Sequence, residues 1–237
     1  MGEPTATPAS MLTSQQTVTL GADEVLIDSA SLELTIVPPG KHGVHAEELS
    51  KLSAFSQLTH LVLREDAMEK GIPLATLAVA PTLTELHLAY HKGPLEGLEN
   101  ITQLRKLTLL DCTGFSLPPL ELEILCLSRC QEVDWPSLGR LSSLDLLSLE
   151  HNLPQDMSFL TSISGLKSLQ IQVHFDLVPD PNELGPLPVI LSQGDDIPGW
   201  IPGDREAMSA FLEQPDRQIV IHLSAFTTFD CNFCAQK

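Results

Sequence analysis

Leucine recurs at fixed offsets through the middle of this chain. In the segment LRKLTLLDC, leucines occupy positions 1, 4 and 6 (Leu104, Leu107 and Leu109) and Cys112 occupies position 9. Three strict and three looser segments share this arrangement, and they begin at Leu58, Leu83, Leu104, Leu122, Leu144 and Leu166. Successive segments therefore start 25, 21, 18, 22 and 22 residues apart. A period of this length predicts a short structural unit stacked repeatedly along the chain.

The offsets also predict the form of each unit. Positions 4 and 6 lie on one side of a short strand, because side chains along a strand alternate with a period of two. Each unit then contributes one strand, and stacking the units places leucine over leucine in a core that no unit could bury alone. Position 9 turns inward, where asparagine can bond to backbone groups and cysteine can fill the same small space.

The pattern LxxLxLxx(N/C) resembles that of the leucine-rich-repeat family, in its short-repeat subclass of about 22 residues. The resemblance covers residues 46–175. It implies an α/β solenoid with a parallel β-sheet on its concave face and short or 3₁₀ segments on its convex face. The 18-residue step that begins at Leu104 contains Pro118 and Pro119, so we expect that coil to be tight and its convex side to be extended.

The N-terminal end departs from the repeat. Residues 1–16 are rich in Thr, Ser, Pro and Ala, and they are predicted to be a disordered tail. Residues 17–45 contain several β-prone runs and are predicted to form a β-rich N-terminal cap. The segment 46–55 is predicted to be helical, with Leu49, Leu52 and Phe55 on one stripe.

The C-terminal end, residues 176–237, is predicted to be a Pro-rich loop followed by an atypical βαβ repeat that caps the solenoid. Its elements would be a strand at 187–191, a helix that begins after the N-cap Asp204, and the strand RQIVIHL. In this order they would extend the parallel sheet. The alternative is a separate C-terminal lobe.

The chain is strongly acidic, with 31 Asp and Glu against 13 Lys and Arg and a formal net charge of -18. Such a surface repels the phosphates of nucleic acids and anionic lipid headgroups, so neither is an expected partner. It would attract a basic protein and speed their encounter. The alternative is that the acidic excess only keeps a leucine-rich solenoid soluble.

The five cysteines are an odd number and lack the spacing of a disulfide framework. The first 30 residues contain neither a basic region nor a long apolar run of the kind found in signal peptides. We therefore expect a cytoplasmic protein.

The CNFC segment, with Cys231 and Cys234, is the clearest chemical motif. It could be half of a zinc site or a redox pair, but no second ligand pair accompanies it, and an incidental pair is the favoured interpretation. Cys112 and Cys130 occupy position 9 and are expected to be structural. Cys126 is expected to face outward as a possible reactive thiol. No nucleotide-binding or catalytic motif is present, so we expect neither an enzyme nor a cofactor.

Positions 3, 5 and 7 of each unit should project from the concave face and form three columns along the solenoid. An apolar centre of Leu110, Ile124 and Leu146 with a polar rim is typical of a protein-binding site. The predicted binding residues are His60, Arg64, Glu85, His87, Tyr90, Lys106, Thr108, Leu110, Ile124, Cys126, Leu146, Ser148 and Glu150.

The sequence therefore favours a non-catalytic module that binds a protein partner through its concave face. One alternative is an acidic inhibitor or immunity-type protein that neutralises a basic enzyme or toxin. A second alternative is a metal-dependent regulator or enzyme that uses the C-terminal CxxC.

Overall fold

The structure is a computed structural model, and it describes residues 15–20, 23–28, 33–36, 46–64, 74–174, 189–199, 201 and 203–224. The described strands are β1 (Gln15–Leu20), β2 (Asp23–Asp28), β3 (Glu33–Ile36), β4 (His60–Arg64), β5 (Glu85–Ala89), β6 (Lys106–Leu110), β7 (Ile124–Ser128), β8 (Leu146–Glu150), β9 (Ser168–His174), β10 (Val189–Leu191) and β11 (Gln218–Ser224). One α-helix, α1 (Arg205–Leu212), lies between β10 and β11.

Nine of these strands form one sheet in the order β10-β11-β9-β8-β7-β6-β5-β4-β3. From β3 to β9, neighbouring strands are parallel and follow the chain order. Position 4 pairs with position 4 of the next coil, as in Leu107 with Leu125, and position 6 pairs with position 6, as in Leu109 with Leu127. All of these leucines are buried. The described coils form a solenoid of parallel strands stacked leucine on leucine, as the sequence predicts.

The convex side is built from short 3₁₀ segments, which is also as predicted. They span Ala46–Ala54, Leu74–Val79, Leu98–Asn100, Trp135–Arg140 and Ser158–Ser162. The predicted apolar stripe lies on the first segment and the residue after it, where Leu49, Leu52 and Phe55 are all buried. Between β6 and β7 the chain is extended and contains no helical segment. Phe115 and Leu117 fill the core there. The extended convex side of the coil with the two prolines is as expected.

At the N-terminal end, β1 and β2 pair as an antiparallel two-stranded sheet. The strand β1 begins at Gln15, two residues before the cap begins in the sequence prediction. The strand β3 does not pair with this sheet; it lies parallel to β4 and adds a first strand to the solenoid. Residues 1–14, most of the predicted disordered tail, are outside the described residues.

The C-terminal elements form in the predicted order, but one strand runs in the other direction. The Asp204 side chain accepts a hydrogen bond from the Ala207 N–H at 3.1 Å and caps α1 as predicted. The strand β11 pairs parallel to β9 and continues the solenoid. The strand β10, however, pairs antiparallel to β11 at the outer edge of the sheet. The prediction that both strands extend the parallel sheet is therefore wrong for β10, because β11 occupies the place beside β9.

Four of the coils turn at position 8, where the backbone is left-handed, whereas in the last coil Val173 occupies this position and continues β9. The residues concerned are Tyr90 (φ 64°), Asp111 (φ 53°), Arg129 (φ 50°) and His151 (φ 54°). This conformation costs an L-residue about 1–2 kcal/mol. A hydrogen bond to the next coil opposes that cost: the Tyr90 N–H donates to the Leu110 carbonyl at 2.8 Å, and the Asp111 N–H donates to the Ser128 carbonyl at 2.9 Å.

The turn directs position 9 into the core, as predicted. His91, Cys112, Cys130 and Asn152 are all buried there. The Asn152 side chain bonds to both backbone groups of Cys130 in the preceding coil: Oδ1 accepts from the Cys130 N–H at 2.6 Å, and Nδ2 donates to the Cys130 carbonyl at 3.0 Å. One side chain thus satisfies two buried backbone groups and holds two coils together.

We expect Asn152→Ala to lower the free energy of unfolding by about 2 kcal/mol or more, because a buried polar group left without a partner costs about 1–3 kcal/mol. Urea denaturation measures this difference. The control is Asn100→Ala, which removes one bond from an exposed amide to the Gly97 carbonyl. Equal losses in both variants would show that the two bonds to Cys130 are not the source of the stability.

Two glycines with nearly the same positive φ allow a second comparison. Gly97 (φ 98°) faces the Ala75 backbone nitrogen, which would lie 2.6 Å from an added Cβ, whereas nothing lies within 4 Å of a Cβ at Gly93 (φ 97°). We expect Gly93→Ala to cost about 1–2 kcal/mol through backbone strain alone. Gly97→Ala should cost clearly more because the convex segments must separate. Equal unfolding free energies for the two variants would exclude this contact as a constraint.

Candidate protein-binding face

The concave face is defined here as the sheet face that carries positions 3, 5 and 7. The strand register aligns these positions in columns, as predicted. Position 3 aligns His60, Glu85, Lys106, Ile124 and Leu146, position 5 aligns Val62, His87, Thr108, Cys126 and Ser148, and position 7 aligns Arg64, Ala89, Leu110, Ser128 and Glu150. The structure therefore brings all of the predicted binding residues together on or beside one face. Their role in binding stays a prediction.

Four of the predicted binding residues offer almost no surface, and the expectation that they project outward is wrong in this respect. Thr108, Cys126 and Ser148 are 5%, 4% and 3% exposed, and Glu150 is 7% exposed. The first three are short side chains in the central column, so the longer side chains of the neighbouring columns shelter them. Glu150 lies beside His151, 3.9 Å from its ring.

The predicted apolar side chains lie on the concave face, but each is only partly exposed. Ile124 and Leu146 are directly opposed on β7 and β8, and each is half-buried. Leu110, one coil earlier and two columns away, is also half-buried. A further apolar pair, Val220 and Ile190, lies on the same face, because Val220 aligns with Gln170 in column 5 and Ile190 pairs with Val220.

Ile190 is 55% exposed and is one of the two large apolar side chains found exposed among the described residues. Sequence reasoning missed this pair because β10 and β11 lie outside the repeat consensus. The alternation of apolar residues in RQIVIHL shows that one of its faces must be exposed, but it gives no register against β9.

The Glu85 carboxylate contacts two basic side chains on the concave face, His60 and Lys106. Its carboxylate lies 2.7 Å from His60 Nε2 and 3.1 Å from Lys106 Nζ. All three side chains occupy column 3 on adjacent strands. Burial alone would raise the pKa of Glu85, but the hydrogen bond and charge of Lys106, together with His60, lower it below its ordinary value. The carboxylate is therefore ionised at neutral pH, and the nearby Lys106 balances its charge.

A second ion pair lies along the row of position 8 residues. Arg129 Nε and Nη2 donate to the two carboxylate oxygens of Asp111 at 2.8 Å and 2.6 Å. This two-point bond raises the pKa of Arg129. Tyr90 belongs to the same row, and the Arg64 guanidinium of column 7 lies over its ring, 5.1 Å from the ring centre. Asp111 was not among the predicted binding residues. Its place at position 8, directly after the end of a strand, is the sequence signal that could have identified it.

The three described cysteines are thiols and not disulfides. Cys112 and Cys130 are buried in adjacent coils, as expected of structural residues. Their neighbouring sulfurs and their burial raise the pKa of Cys112, so that it stays protonated. Cys126 faces the concave side but is buried, so the expectation of an accessible reactive thiol there is wrong. Cys231 and Cys234 lie outside the described residues, and their role stays a prediction.

The described residues contain no group of three or more His, Cys, Asp or Glu side chains that could hold a metal ion. Within the same parts of the chain, no helix is long and apolar enough to cross a membrane.

Two solved structures with a similar arrangement are internalins of Listeria monocytogenes. Internalin C2 is 16% identical over 62% of this chain and 75% of its own, with a TM-score of 0.41. Internalin inlF is 18% identical over 63% of this chain and 51% of its own, with a TM-score of 0.37. No protein-family model matches the sequence, and no curated protein matches it. These structural similarities are too distant to support a statement about function. The assignment of the solenoid rests instead on the register of the strands.

The Glu85 network makes a prediction about acid stability. Because the folded state lowers the pKa of Glu85, the resulting stability is fully present above its ordinary pKa of about 4.5 and is lost as the pH falls through the lower, folded value. Wild type should therefore be more stable than Glu85→Gln at pH 7, and the difference should shrink below about pH 4.5. Urea unfolding between pH 3 and pH 7 measures it.

The control for this comparison is Glu96→Gln, which removes one exposed negative charge from the same chain. It corrects for the general effect of lowering the net charge. A difference between wild type and Glu85→Gln that is constant across the whole pH range would contradict the proposed network.

Proposed function

We propose that this protein is a non-catalytic binding module that presents its concave face to a protein partner. The observation that carries the proposal is the combination of half-buried aliphatic side chains and internally paired charges on that face. Ile124, Leu146 and Leu110 supply apolar contact area, and a partner that covers them removes that area from water. An apolar patch with polar surroundings is the usual arrangement in protein interfaces.

The charges of the concave face support contact and not repulsion. Among the described side chains in these columns and at position 8, three cations (Arg64, Lys106 and Arg129) stand against three carboxylates (Glu85, Asp111 and Glu150). Glu85 and Asp111 are directly ion-paired. The described charges of this face therefore balance, whereas the whole chain carries a net charge of -18. A partner can approach the face without bringing a compensating charge to its centre.

A second candidate function is the neutralisation of a basic enzyme or toxin by an acidic inhibitor. The net charge favours it, because a field of this sign speeds the approach of a basic protein even when the contact surface itself is neutral. Exposed carboxylates such as Glu123 and Asp145 precede the strands β7 and β8. Each also has a cation nearby: Arg105 lies 3.9 Å from Glu123, and Lys167 lies 2.8 Å from Asp145.

We propose a cytoplasmic location for this function. The support is that the described cysteines are thiols, two of them adjacent in the core. Thiols persist in reducing compartments, whereas disulfides are typical of oxidising ones.

The test is affinity capture from native lysate with three proteins. They are wild type, the concave variant Leu110→Glu, Ile124→Glu, Leu146→Glu, and the control variant Ala78→Glu, Thr102→Glu, Ser142→Glu. Both variants add three negative charges, but the control places them on exposed residues away from the sheet. We expect a partner retained by wild type and by the control and lost by the concave variant, because an uncompensated carboxylate is costly to bury in an interface.

Thermal unfolding must first show that all three proteins melt alike. Elution of the partner by a salt gradient then separates the two candidate functions, since contacts between oppositely charged proteins weaken with salt and apolar contacts do not. Early elution favours the acidic inhibitor. Equal capture by all three proteins would contradict binding through the concave face.

A further inference from the structure

The concave face contains one hollow that its ion pairs and its Ile124–Leu146 centre do not explain. Its volume is about 180 Å³, and it spans the strands from β4 to β7. We name it the Ala89 pocket, after the residue at its base. Its mostly apolar walls include Val62, Leu110 and the Tyr90 ring, with Arg64 at the side and Thr108 below.

The pocket exists because one coil carries a small residue where its neighbours carry large ones. Ala89 occupies column 7, and its direct neighbours in the register are Arg64 on β4 and Leu110 on β6. A methyl group between two long side chains leaves a gap in the column. Tyr90, at the left-handed position 8, closes one side of this gap.

Tyr90, the only tyrosine in the chain, is 36% exposed. Its backbone N–H donates to the Leu110 carbonyl, and the Arg64 guanidinium lies over its ring. Both contacts favour the position of this wall. Tyrosine and arginine are also the residue types enriched where binding energy concentrates in interfaces.

The size of the pocket indicates its occupant. Sites for whole small molecules usually measure about 300–1,000 Å³, which is larger than this pocket. A cavity of about 150 Å³ lined by aliphatic and aromatic groups is large enough for one benzene molecule. The Ala89 pocket therefore fits a single branched aliphatic or aromatic side chain.

The charge at the pocket indicates what accompanies that side chain. Arg64 is the one formally charged residue among the described residues that line it. A guanidinium has five N–H donors, so it can bind a carboxylate in addition to the contacts that it already makes. Charge complementarity then favours an acidic group beside the apolar side chain.

We propose that the Ala89 pocket is the anchor site of the protein partner: it takes one Leu- or Phe-sized side chain, and Arg64 binds an adjacent carboxylate. The proposal rests on the proposed function of the concave face and adds the chemistry of the segment that docks there. The same chain thus combines a general acidic surface with a local site for an apolar, acidic-flanked segment.

Two small probes test the pocket without knowledge of the partner. N-acetyl-phenylalanine carries the side chain and a carboxylate, and N-acetyl-phenylalanine amide carries the side chain alone. Each is titrated into full-length, ¹⁵N-labelled protein while amide chemical shifts are followed. We expect saturable shifts near Ala89, Tyr90 and Thr108, with dissociation constants of about 1 mM, as is usual for fragments of this size. The carboxylate probe should bind at least about threefold more tightly, since its contact with Arg64 is charge-assisted.

Three variants make the test specific. In Ala89→Leu, the larger side chain fills the pocket and should abolish the chemical-shift changes that the probes cause. Arg64→Gln should remove the preference for the carboxylate probe while keeping the binding of the amide. Gln170→Leu, which adds a leucine to column 5 two strands beyond the pocket, should bind both probes like wild type. If Ala89→Leu does not fold, the Arg64→Gln comparison still decides the assignment of the carboxylate.

The proposal is overturned if neither probe gives saturable shifts at the pocket, or if the shifts persist in Ala89→Leu. Equal binding of both probes to wild type would overturn the role of Arg64. These outcomes are separate from the capture experiment. Probe binding without any partner lost by the concave variant would contradict the proposed function alone, and a lost partner without probe binding would contradict the pocket alone.

Discussion

One packing constraint underlies the structure: every coil must cover the leucines of its neighbour. A single coil is too short to enclose its own apolar side chains, so positions 4 and 6 are buried only when the coils stack in register. Leu107, Leu125 and Leu147 show the result, since they are paired across three parallel strands and none is exposed to solvent. A shift of one residue would turn those leucines outward, and the strand register is therefore strongly specified.

The backbone conformation of the turns depends on that stacking. Position 8 is left-handed in residues as different as Tyr90 and Arg129, which no local preference of their side chains explains. The conformation persists because it aligns an N–H with a carbonyl of the next coil and sends position 9 into the core. Asn152 uses the same geometry to bond to Cys130. The strain of each turn is thus balanced by contacts between coils, and those contacts form only in the stacked state.

The same register produces the concave face. Because equivalent positions of successive coils stand side by side, a charge in one coil meets the corresponding residue of the next, as Glu85 meets His60 and Lys106. A change of size in one coil leaves a gap, as Ala89 does beside Leu110. The described charges of the face therefore balance, although the whole chain carries a net charge of -18. Recognition can then be local even where the long-range field is acidic.

The sequence by itself determined the solenoid, its six repeats and the columns of the concave face, because these follow from local spacing and one period, and Asp204 marked the cap of α1. The short convex segments were implied by the resemblance to leucine-rich repeats. It did not determine that Cys126 is buried, that β10 turns antiparallel outside β11, or that Ala89 and Tyr90 enclose a pocket. Those features depend on which side chains lie next to each other in adjacent coils and on how long each neighbouring side chain is. A repeat pattern gives the position of a side chain in its coil, whereas its exposure and partners are set by the neighbouring coils.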